Sequence, residues 1–206
     1  MKINYDLVLE ETIKNLEGTK PSLLLHSCCA PCSTAVITRL KPYFNITILY
    51  YNPNIEPYEE YLKRKEEQKR IVTEFGINFM DYDYENEKFK EVSKGLESLP
   101  EGGFRCHKCY ELRLTKTAIL AKENNFEYFG TTLTVSPYKN SQILNSIGKD
   151  IEALTKVKFL YADFKKKEGY KLSIELSKKY NLYRQNYCGC IYSKEQSIKK
   201  ETDLWM

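Results

Sequence analysis

Seven cysteines fall into three short clusters that lie far apart in the chain, and this arrangement constrains the fold more than any other feature. The clusters are Cys28, Cys29 and Cys32, then Cys106 and Cys109, then Cys188 and Cys190. A Cys-x-x-Cys spacing is typical of metal ligands or of a redox pair, because two intervening residues let both sulfurs face one point. Folding must bring the clusters together if they share a function. Since a structural zinc site takes four ligands, the surplus thiols favour an iron–sulfur cluster with a second metal or a dithiol–disulfide pair beside it.

The composition is that of a globular protein whose thiols are expected to stay reduced. The 206 residues are 42% hydrophobic and 29% charged, which suits one domain with a buried core. The N-terminal segment lacks the apolar core of a signal peptide, and no apolar run approaches the ~18–20 residues of a membrane span. We therefore expect a cytoplasmic protein, in which clustered cysteines bind metal or do redox chemistry. The formal charge of +4 allows a nucleic-acid partner without requiring one.

Short apolar runs alternate with helical patterns along the whole chain. The predicted strands are 22–27, 46–52, one that begins at Ile77, one around Phe129 and a short one near Leu160. The predicted helices are one that opens at Pro31, then 58–75, 89–99, 106–124, 141–154 and 169–179. In the second of these, Glu60 and Arg64 are spaced as an i,i+4 pair on a solvated face. The alternation predicts a doubly wound, mainly parallel α/β sheet with helices on both faces.

The order of the elements also predicts where a site lies. Ligands of doubly wound sheets bind outside the carboxyl ends of the strands. Cys28 and Cys29 directly follow the first predicted strand, so we expect them at the rim of an active site. The chain is expected to form one α/β domain over 1–206, with a core of about 20–165 and a helical segment 166–206 that carries the Cys-Gly-Cys motif.

Local context separates the cysteines further. Cys32 falls in the first turn of a predicted helix, where the helix dipole favours the thiolate, and it could complete a Cys-x-x-Cys pair with Cys29. Cys188 and Cys190 could close a strained, labile disulfide or chelate one metal. The alternative for any one cysteine is simple burial as a small apolar residue. His26, inside the first predicted strand, is expected to be a hydrogen-bonded core histidine.

Other catalytic patterns are absent from the sequence. The chain contains no Gly-x-Ser-x-Gly elbow, no His-Glu-x-x-His, no Gly-x-Gly-x-x-Gly and no Gly-x-x-x-x-Gly-Lys-Ser/Thr loop. A pyrophosphate-binding loop is also missing after the first strand, where an ATP-using protein of this architecture would carry one. Cysteines occupy that position instead.

Five segments together resemble the cobalamin-independent epoxyqueuosine reductases, the QueH type. They are CCAPCS (28–33), YNPNIEPYEEYLKR (51–64), EGGFRCHKCYELRL (101–114), TTLTVSPYKN (131–140) and YRQNYCGCIYS (183–193). The resemblance extends from Leu23 to Ser193, and five motifs in the same order make it more specific than a lone Cys-x-x-Cys.

The resemblance implies a fold, a reaction and a set of metal ligands. The fold would be similar to adenine-nucleotide hydrolase-like (HUP) domains, and the reaction would reduce the epoxide of epoxyqueuosine at the tRNA wobble position to the alkene of queuosine. The implied cofactors are a [4Fe-4S] cluster and an additional iron ion. The implied cluster ligands are Cys28, Cys29, Cys106 and Cys109. Cys188 and Cys190 would be a redox-active pair or, with Cys32, ligands of the adjacent iron.

The implied partners are a tRNA with a GUN anticodon that carries epoxyqueuosine and an unidentified electron donor, with no membrane. The basic residues near the cysteine motifs, which are candidates for tRNA binding, are Arg105, Arg113, Lys139 and Arg184. Tyr138, Tyr187 and Lys139 are candidates for the proton donor because they lie in the matched motifs. Two other functions remain open: a zinc-stabilised tRNA-binding module without catalysis, and an ATP-dependent tRNA-thiolating enzyme on a similar fold.

Overall fold

A computed structural model describes residues 2–203, with the side chains of 2–198. Five strands in this range are β1 (Ser22–His26), β2 (Asn45–Tyr50), β3 (Asn78–Asp81), β4 (Tyr128–Thr131) and β5 (Lys158–Phe159). The helices are α1 (Tyr5–Lys14), α2 (Ala30–Leu40), α3 (Tyr58–Glu74), α4 (Asn86–Ser93), α5 (Phe104–Glu123), α6 (Ser141–Thr155), α7 (Gly169–Lys179) and α8 (Ile191–Asp203). A 3₁₀ turn, Thr132–Val135, follows β4. None of the helices in the described range is long and apolar enough to cross a membrane.

All five strands pair in parallel, in the order β3-β2-β1-β4-β5. The chain moves outward from β1 through β2 to β3, and then returns to place β4 on the other side of β1. The strand order therefore reverses between β1 and β4, where His26 pairs with Thr131. Such a reversal opens a crevice at the carboxyl edge of a sheet, and it is the usual ligand site of doubly wound folds.

Alternating side chains of β1 build the two core layers. Leu23 and Leu25 pack with Val36 and Ile37 of α2 on one face. Leu24 packs with residues of α5 and α6 on the other face. A strand that is apolar on both sides is typical of a parallel sheet covered by helices. The predicted fold class is therefore confirmed, and each predicted strand is present.

The predicted helix at 89–99 is wrong at both ends, since α4 begins at Asn86 and ends at Ser93. Gly95 has φ of 77°, in the left-handed region, so the chain turns there instead of continuing the helix. The carbonyl oxygens of Leu96, Glu97 and Leu99 then all accept hydrogen bonds from Nη1 of Arg105. The turn is thus stabilised by the side chain of Arg105, which follows it in the sequence.

The segment after α7 returns to the site. Helix α7 packs against α2, with Ser173 and Ser177 buried at the contact. The chain then crosses α3, where the backbone N–H of Tyr183 donates to Glu67 at 2.9 Å, before α8 begins at Ile191. This crossing brings the Cys188-Gly-Cys190 segment to the carboxyl edge of the sheet.

Candidate metal centre and substrate cavity

The first cysteine cluster forms a compact group of sulfur atoms. Cys29 caps α2 with an extended backbone, and Pro31 lies in the first helical turn. At this turn the sulfurs of Cys28, Cys29 and Cys32 all lie within 4.8 Å of one another, and those of Cys28 and Cys29 are 3.7 Å apart. Adjacent cysteines would point apart within a regular strand, so the exit from β1 is what lets both face one centre.

The three thiols differ in pKa because of the hydrogen bonds among them. Cys28 and Cys32 donate hydrogen bonds to Cys29, which lowers the pKa of the Cys29 thiol well below its usual value, and Arg64 lowers it further. The pKa of Cys32 is raised by its hydrogen bonds to Cys28 and Cys29 and by burial. One thiolate at Cys29 is therefore favoured before any metal binds, and a thiolate is the form that metals require.

The second and third clusters meet at the start of α5. Cys109 and Cys190 are both buried and pack against Phe89. A small cavity of about 10 Å³ is lined by Cys106, Cys109, Cys188 and Cys190. Burial raises the pKa of Cys109 to about 11 and that of Cys190 to about 12. The structure thus groups these four thiols, and it groups Cys32 with Cys28 and Cys29.

Arg64 fastens the Cys188-Gly-Cys190 segment to α3. Its guanidinium donates to the carbonyl of Cys188 at 3.1 Å and to that of Tyr187 at 3.5 Å, and it pairs with Glu60 at 2.7 Å. Arg64 is 2% exposed, so the prediction that Glu60 and Arg64 form a solvated pair is wrong. The pair is buried because the returning C-terminal segment covers this face of α3.

Gly189 is required by the same contact. Its φ is 133°, and a Cβ there would lie 2.9 Å from Cγ1 of Ile55 and 3.2 Å from Nη1 of Arg64. Its carbonyl accepts from the backbone N–H of Glu56 at 2.9 Å. The two cysteines therefore lie on a short segment whose backbone packs directly against Ile55, Glu56 and Arg64.

Two buried arginines face the thiols. Arg113 is 1% exposed and its Nη2 has no hydrogen-bond partner among the described residues, while the carbonyl of Cys109 accepts from its Nε. Burial alone would lower the pKa of Arg113, but the negative charge of Cys109, Cys188 and Cys28 raises it. Arg105, also 1% exposed, keeps Nε and Nη2 without partners in the same range and lines the small cavity.

A larger cavity, of about 360 Å³, opens beside the sulfur atoms, and we call it the thiol cavity. Its lining includes Cys28, Cys32, Cys188, Tyr138, Lys139, Arg184, Gln185 and Tyr187. Burial would lower the pKa of Lys139, but the charges of Cys188 and Cys28 raise it, so its amine remains an ammonium. The volume suits a small organic group such as a modified nucleobase.

The predicted non-cysteine residues occupy different positions around this cavity. Tyr187 donates its hydroxyl hydrogen to the carbonyl of Glu56 at 2.9 Å, and Tyr138 is 79% exposed at the rim. Arg184 also lies at the rim and donates to the carbonyl of Ser173. Arg105 and Arg113 are both buried and line the small cavity with the thiols, and their contact with tRNA stays a prediction.

The histidine of β1 is structural, as predicted. His26 is fully buried, its Nε2 donates to the carbonyl of Tyr51 and its Nδ1 accepts from the hydroxyl of Thr131, both at 3.1 Å. Burial lowers the pKa of His26 to about 3. A neutral imidazole thus ties β1 to its neighbours at the edge where the thiols begin.

Sequence reasoning missed Arg64 and Tyr110. Tyr110 follows Cys109 on α5, is 4% exposed and lines the small cavity; its pKa is raised by burial. The only signal for both was their place inside the matched segments 51–64 and 101–114, since helical spacing alone assigns them to ordinary helix faces.

Comparison with known proteins identifies the family. The family model described as "Epoxyqueuosine reductase QueH" matches residues 23–196. This chain belongs to the QueH family. A member of that name from Staphylococcus epidermidis is 45% identical over 93% of this chain and 85% of its own length. Another from Streptococcus pyogenes is 40% identical over 100% of this chain and 86% of its own length, and one from Thermotoga maritima is 36% identical over 89% and 95%.

A solved structure is similar in fold. The U34-tRNA thiolase NcsA from Methanococcus maripaludis, determined with its [4Fe-4S] cluster, superposes with a TM-score of 0.58 over 96% of this chain and 71% of that chain. The sequence identity is 13%, so the likeness concerns the fold alone. It agrees with the predicted doubly wound architecture.

The residues present fit an iron–sulfur cluster. The donors are thiols gathered from three parts of the chain, which is the ligand chemistry of such clusters. Arg113 supplies an independent observation, because a buried guanidinium with an unpartnered nitrogen calls for an anion beside it. Iron–sulfur centres bound by thiolates carry that negative charge.

Proposed function

We propose that this protein is an epoxyqueuosine reductase, which converts the epoxide of epoxyqueuosine in the tRNA anticodon to the alkene of queuosine. The observation that carries the proposal is that two cavities of a QueH-family chain are lined by thiols, with Cys188 on both. Thiols of the first and third clusters line the thiol cavity, and thiols of the second and third clusters line the small cavity. The reaction consumes two electrons and two protons, breaks both carbon–oxygen bonds of the epoxide and releases water.

In this proposal Cys28, Cys29, Cys106 and Cys109 hold a [4Fe-4S] cluster. When bound, such a cluster supplies electrons one at a time at a low potential. The buried charge of Arg113 lies near thiols of all three clusters, because Cys109, Cys188 and Cys28 raise its pKa against the effect of burial.

Cys188, Cys190 and Cys32 are proposed to hold an additional iron ion, or the first two to act as a redox-active pair. Cys188 lines both cavities, so its thiol has access to the substrate space as well as to Cys106 and Cys109. Arg64 and Gly189 hold the backbone of this segment against α3, which fixes the direction in which the two thiols point.

The chain's own groups have distinct tasks in the thiol cavity. Lys139 provides a positive charge beside Cys28 and Cys188, where negative charge develops on the departing oxygen. Tyr187 is less suited to give up a proton, because its hydroxyl is occupied by the carbonyl of Glu56.

The proposed partners are a tRNA with a GUN anticodon that carries epoxyqueuosine and a separate electron donor. The cavity opens at a rim where Lys139 and Arg184 lie, and cationic side chains of this kind contact RNA phosphates. A wobble base must leave the anticodon stack to enter a cavity of this size, and unstacked bases are the usual targets of sequence-specific RNA recognition.

The test is a single-turnover reaction under anaerobic conditions. Dithionite-reduced protein is incubated with tRNA that contains epoxyqueuosine, and the anticodon nucleosides are then separated and weighed by mass spectrometry. We expect loss of one oxygen mass from the nucleoside and brown protein that contains iron and labile sulfide. Colourless protein with zinc and unchanged nucleoside would instead identify a tRNA-binding module without catalysis, and the proposal would be rejected.

A further inference from the structure

A second cavity, of about 610 Å³, lies next to the thiol cavity, and we call it the lysine cavity. Both cavities are lined by Pro137, Tyr138 and Lys139, so this short segment forms the ridge between them. The reaction proposed above does not use the second cavity. Its position next to the substrate space suits it to receive a neighbouring part of the same substrate.

The charge of the lysine cavity is positive. Lys2, Lys139, Lys165 and Lys166 line it, together with one carboxylate, that of Asp163. That carboxylate is already occupied by the hydroxyl of Ser141 at 2.8 Å and the ammonium of Lys165 at 3.0 Å. Lys2 and Lys166, in contrast, are exposed and form no ion pair within residues 2–198. Two ammonium groups are therefore available to an anion from outside.

The floor of the lysine cavity is fixed by hydrogen bonds. The amide of Gln142 accepts from the N–H of Ile3 at 3.1 Å and donates to the carbonyl of Ile3 at 2.8 Å. The side chain of Asn140 caps α6 by accepting from the N–H of Gln142 at 2.9 Å. The first turn of α6 itself contains no acidic residue, and the one carboxylate at this helix end is that of Asp163, which Ser141 and Lys165 already engage.

Tyr138 supplies the third property, an aromatic face that is open to solvent. Its side chain is 79% exposed, more than those of Phe104 at 53% and Tyr58 at 50%, and its ring stacks on none of the described aromatic rings. Pro137 precedes it, and the backbone N–H of Tyr138 donates to the hydroxyl of Ser136, so the ring stands on a restrained turn. Single-stranded RNA is bound by this combination of an aromatic platform and nearby cations.

We propose that Tyr138 and the lysine cavity form a binding subsite for the nucleotide adjacent to the modified one. The base of that neighbour stacks on Tyr138, and its phosphate lies near Lys2 and Lys166, while the modified base enters the thiol cavity. The proposal rests on the proposed function for the identity of the RNA. It gives Tyr138 a role in holding substrate, in place of the proton-donor role expected from the sequence.

The test measures equilibrium binding of a fluorescent RNA hairpin with the sequence of a GUN anticodon stem-loop, by anisotropy and without turnover. Tyr138→Ala should weaken binding by about tenfold or more, and Tyr138→Phe should bind within about twofold of the natural protein. The matched control is Tyr43→Ala. Tyr43 is 41% exposed and lies just before β2, at the amino ends of the strands and away from both cavities. That control should bind normally.

Two further arms locate the contacts. Lys166→Gln should reduce the slope of log K against log salt by about 0.7, whereas the control Lys20→Gln, before the start of β1, should leave it unchanged. Hairpins with an abasic nucleotide on the 5′ or the 3′ side of the wobble position should separate the two neighbours. With the hairpin that lacks the stacked base, Tyr138→Ala should weaken binding no further, because Tyr138 then has no base to stack on.

Each result has a defined meaning. Normal hairpin binding by Tyr138→Ala, or an equal loss with both abasic hairpins, overturns the subsite. Loss of turnover in Tyr138→Phe with intact binding supports the subsite but overturns the statement that Tyr138 holds substrate in place of donating a proton. If binding follows the expected pattern while the natural protein leaves epoxyqueuosine unchanged, the subsite is supported and the proposed reaction fails. Thermal unfolding of each variant checks that it is folded.

Discussion

Lys139 brings a positive charge to the place where thiols from separate stretches meet the substrate cavity. The charges of Cys188 and Cys28 raise its pKa above the usual value of a lysine. An ammonium whose proton is held more tightly is a poorer acid, so its contribution is charge more than proton transfer. The distinction is open to experiment, because arginine keeps the charge and cannot release the proton.

Lys139→Met should therefore lower kcat by about 10²-fold, the size of effect seen when one preorganised positive or hydrogen-bonding group is removed. Lys139→Arg should recover most of that loss. The measurement is single-turnover reduction of epoxyqueuosine at saturating tRNA, with RNA binding determined separately. A Lys139→Arg variant as slow as Lys139→Met would show that the proton itself is needed.

The cysteines differ in what their loss should do. Cys106→Ser should prevent cluster assembly, because it removes a proposed ligand, and iron and labile sulfide should fall to background. Cys188→Ser should keep most of the cluster absorbance and lose turnover, since Cys188 lines the substrate cavity as well. Full iron content in Cys106→Ser, or normal turnover in Cys188→Ser, would contradict the respective assignment.

At the scale of elements, α3 supports a segment that is remote in sequence. Arg64 connects the carbonyls of Cys188 and Tyr187 to Glu60, and the pair lies under the returning chain. Removing one member of a buried pair leaves an uncompensated charge, which costs about 3–5 kcal/mol. The cysteines depend on this support, because side-chain direction follows backbone position.

Arg64→Ala is accordingly expected to lower the free energy of unfolding by about 3 kcal/mol and to speed amide exchange at 187–190. Arg64→Lys should restore little, because one ammonium cannot reproduce the fork that reaches two carbonyls. The control is Glu66→Ala, on the exposed side of the same helix. Unchanged exchange at 187–190 in Arg64→Ala would remove this anchoring role.

Helix α6 packs on the sheet through a glycine. A Cβ at Gly148 would lie 2.3 Å from the ring of Phe159 in β5. Gly148→Ala should therefore destabilise the fold by about 1–3 kcal/mol through overpacking, although alanine favours helices by about 1 kcal/mol. Ser146→Ala, at an exposed position of the same helix, should be neutral or stabilising in the same urea titration. Equal stability of the two variants would contradict this contact.

The elements could be predicted because their signals are local. Runs such as Leu23–Leu24–Leu25 report a buried strand, and the position of Cys28 after β1 predicts the site from topology alone. The end of α4 and the burial of Arg64 could not be predicted in this way. Both depend on partners that are remote in sequence or follow the element, namely Arg105 and the Cys188 segment, and helical spacing carries no information about them.

At the scale of the molecule, the proposed metal site joins the N-terminal half of the sheet, α5 and the C-terminal segment. Cys28 belongs to the exit of β1, Cys106 opens α5, and Cys188 follows α7. Metal bound to thiols from all three would stabilise the folded chain over the unfolded one, in which these thiols are far apart. Activity and stability are thereby coupled, since the same sulfur atoms serve both.

Chelation of iron should thus lower Tm and expose the C-terminal segment first. A ligand present at about 100 to 1,000 times its dissociation constant contributes about 3–4 kcal/mol, enough for a shift of several degrees. Limited proteolysis should cut near 180–190 before it cuts the sheet, because this segment then loses the proposed metal link and keeps only side-chain and single backbone hydrogen bonds, such as those with Arg64 and Glu67. Cys106→Ser, which is expected to lack the cluster, should not respond to the chelator. If the natural protein and the variant responded equally, the stabilisation would have to come from metal bound elsewhere, and the three stretches would not be joined through iron.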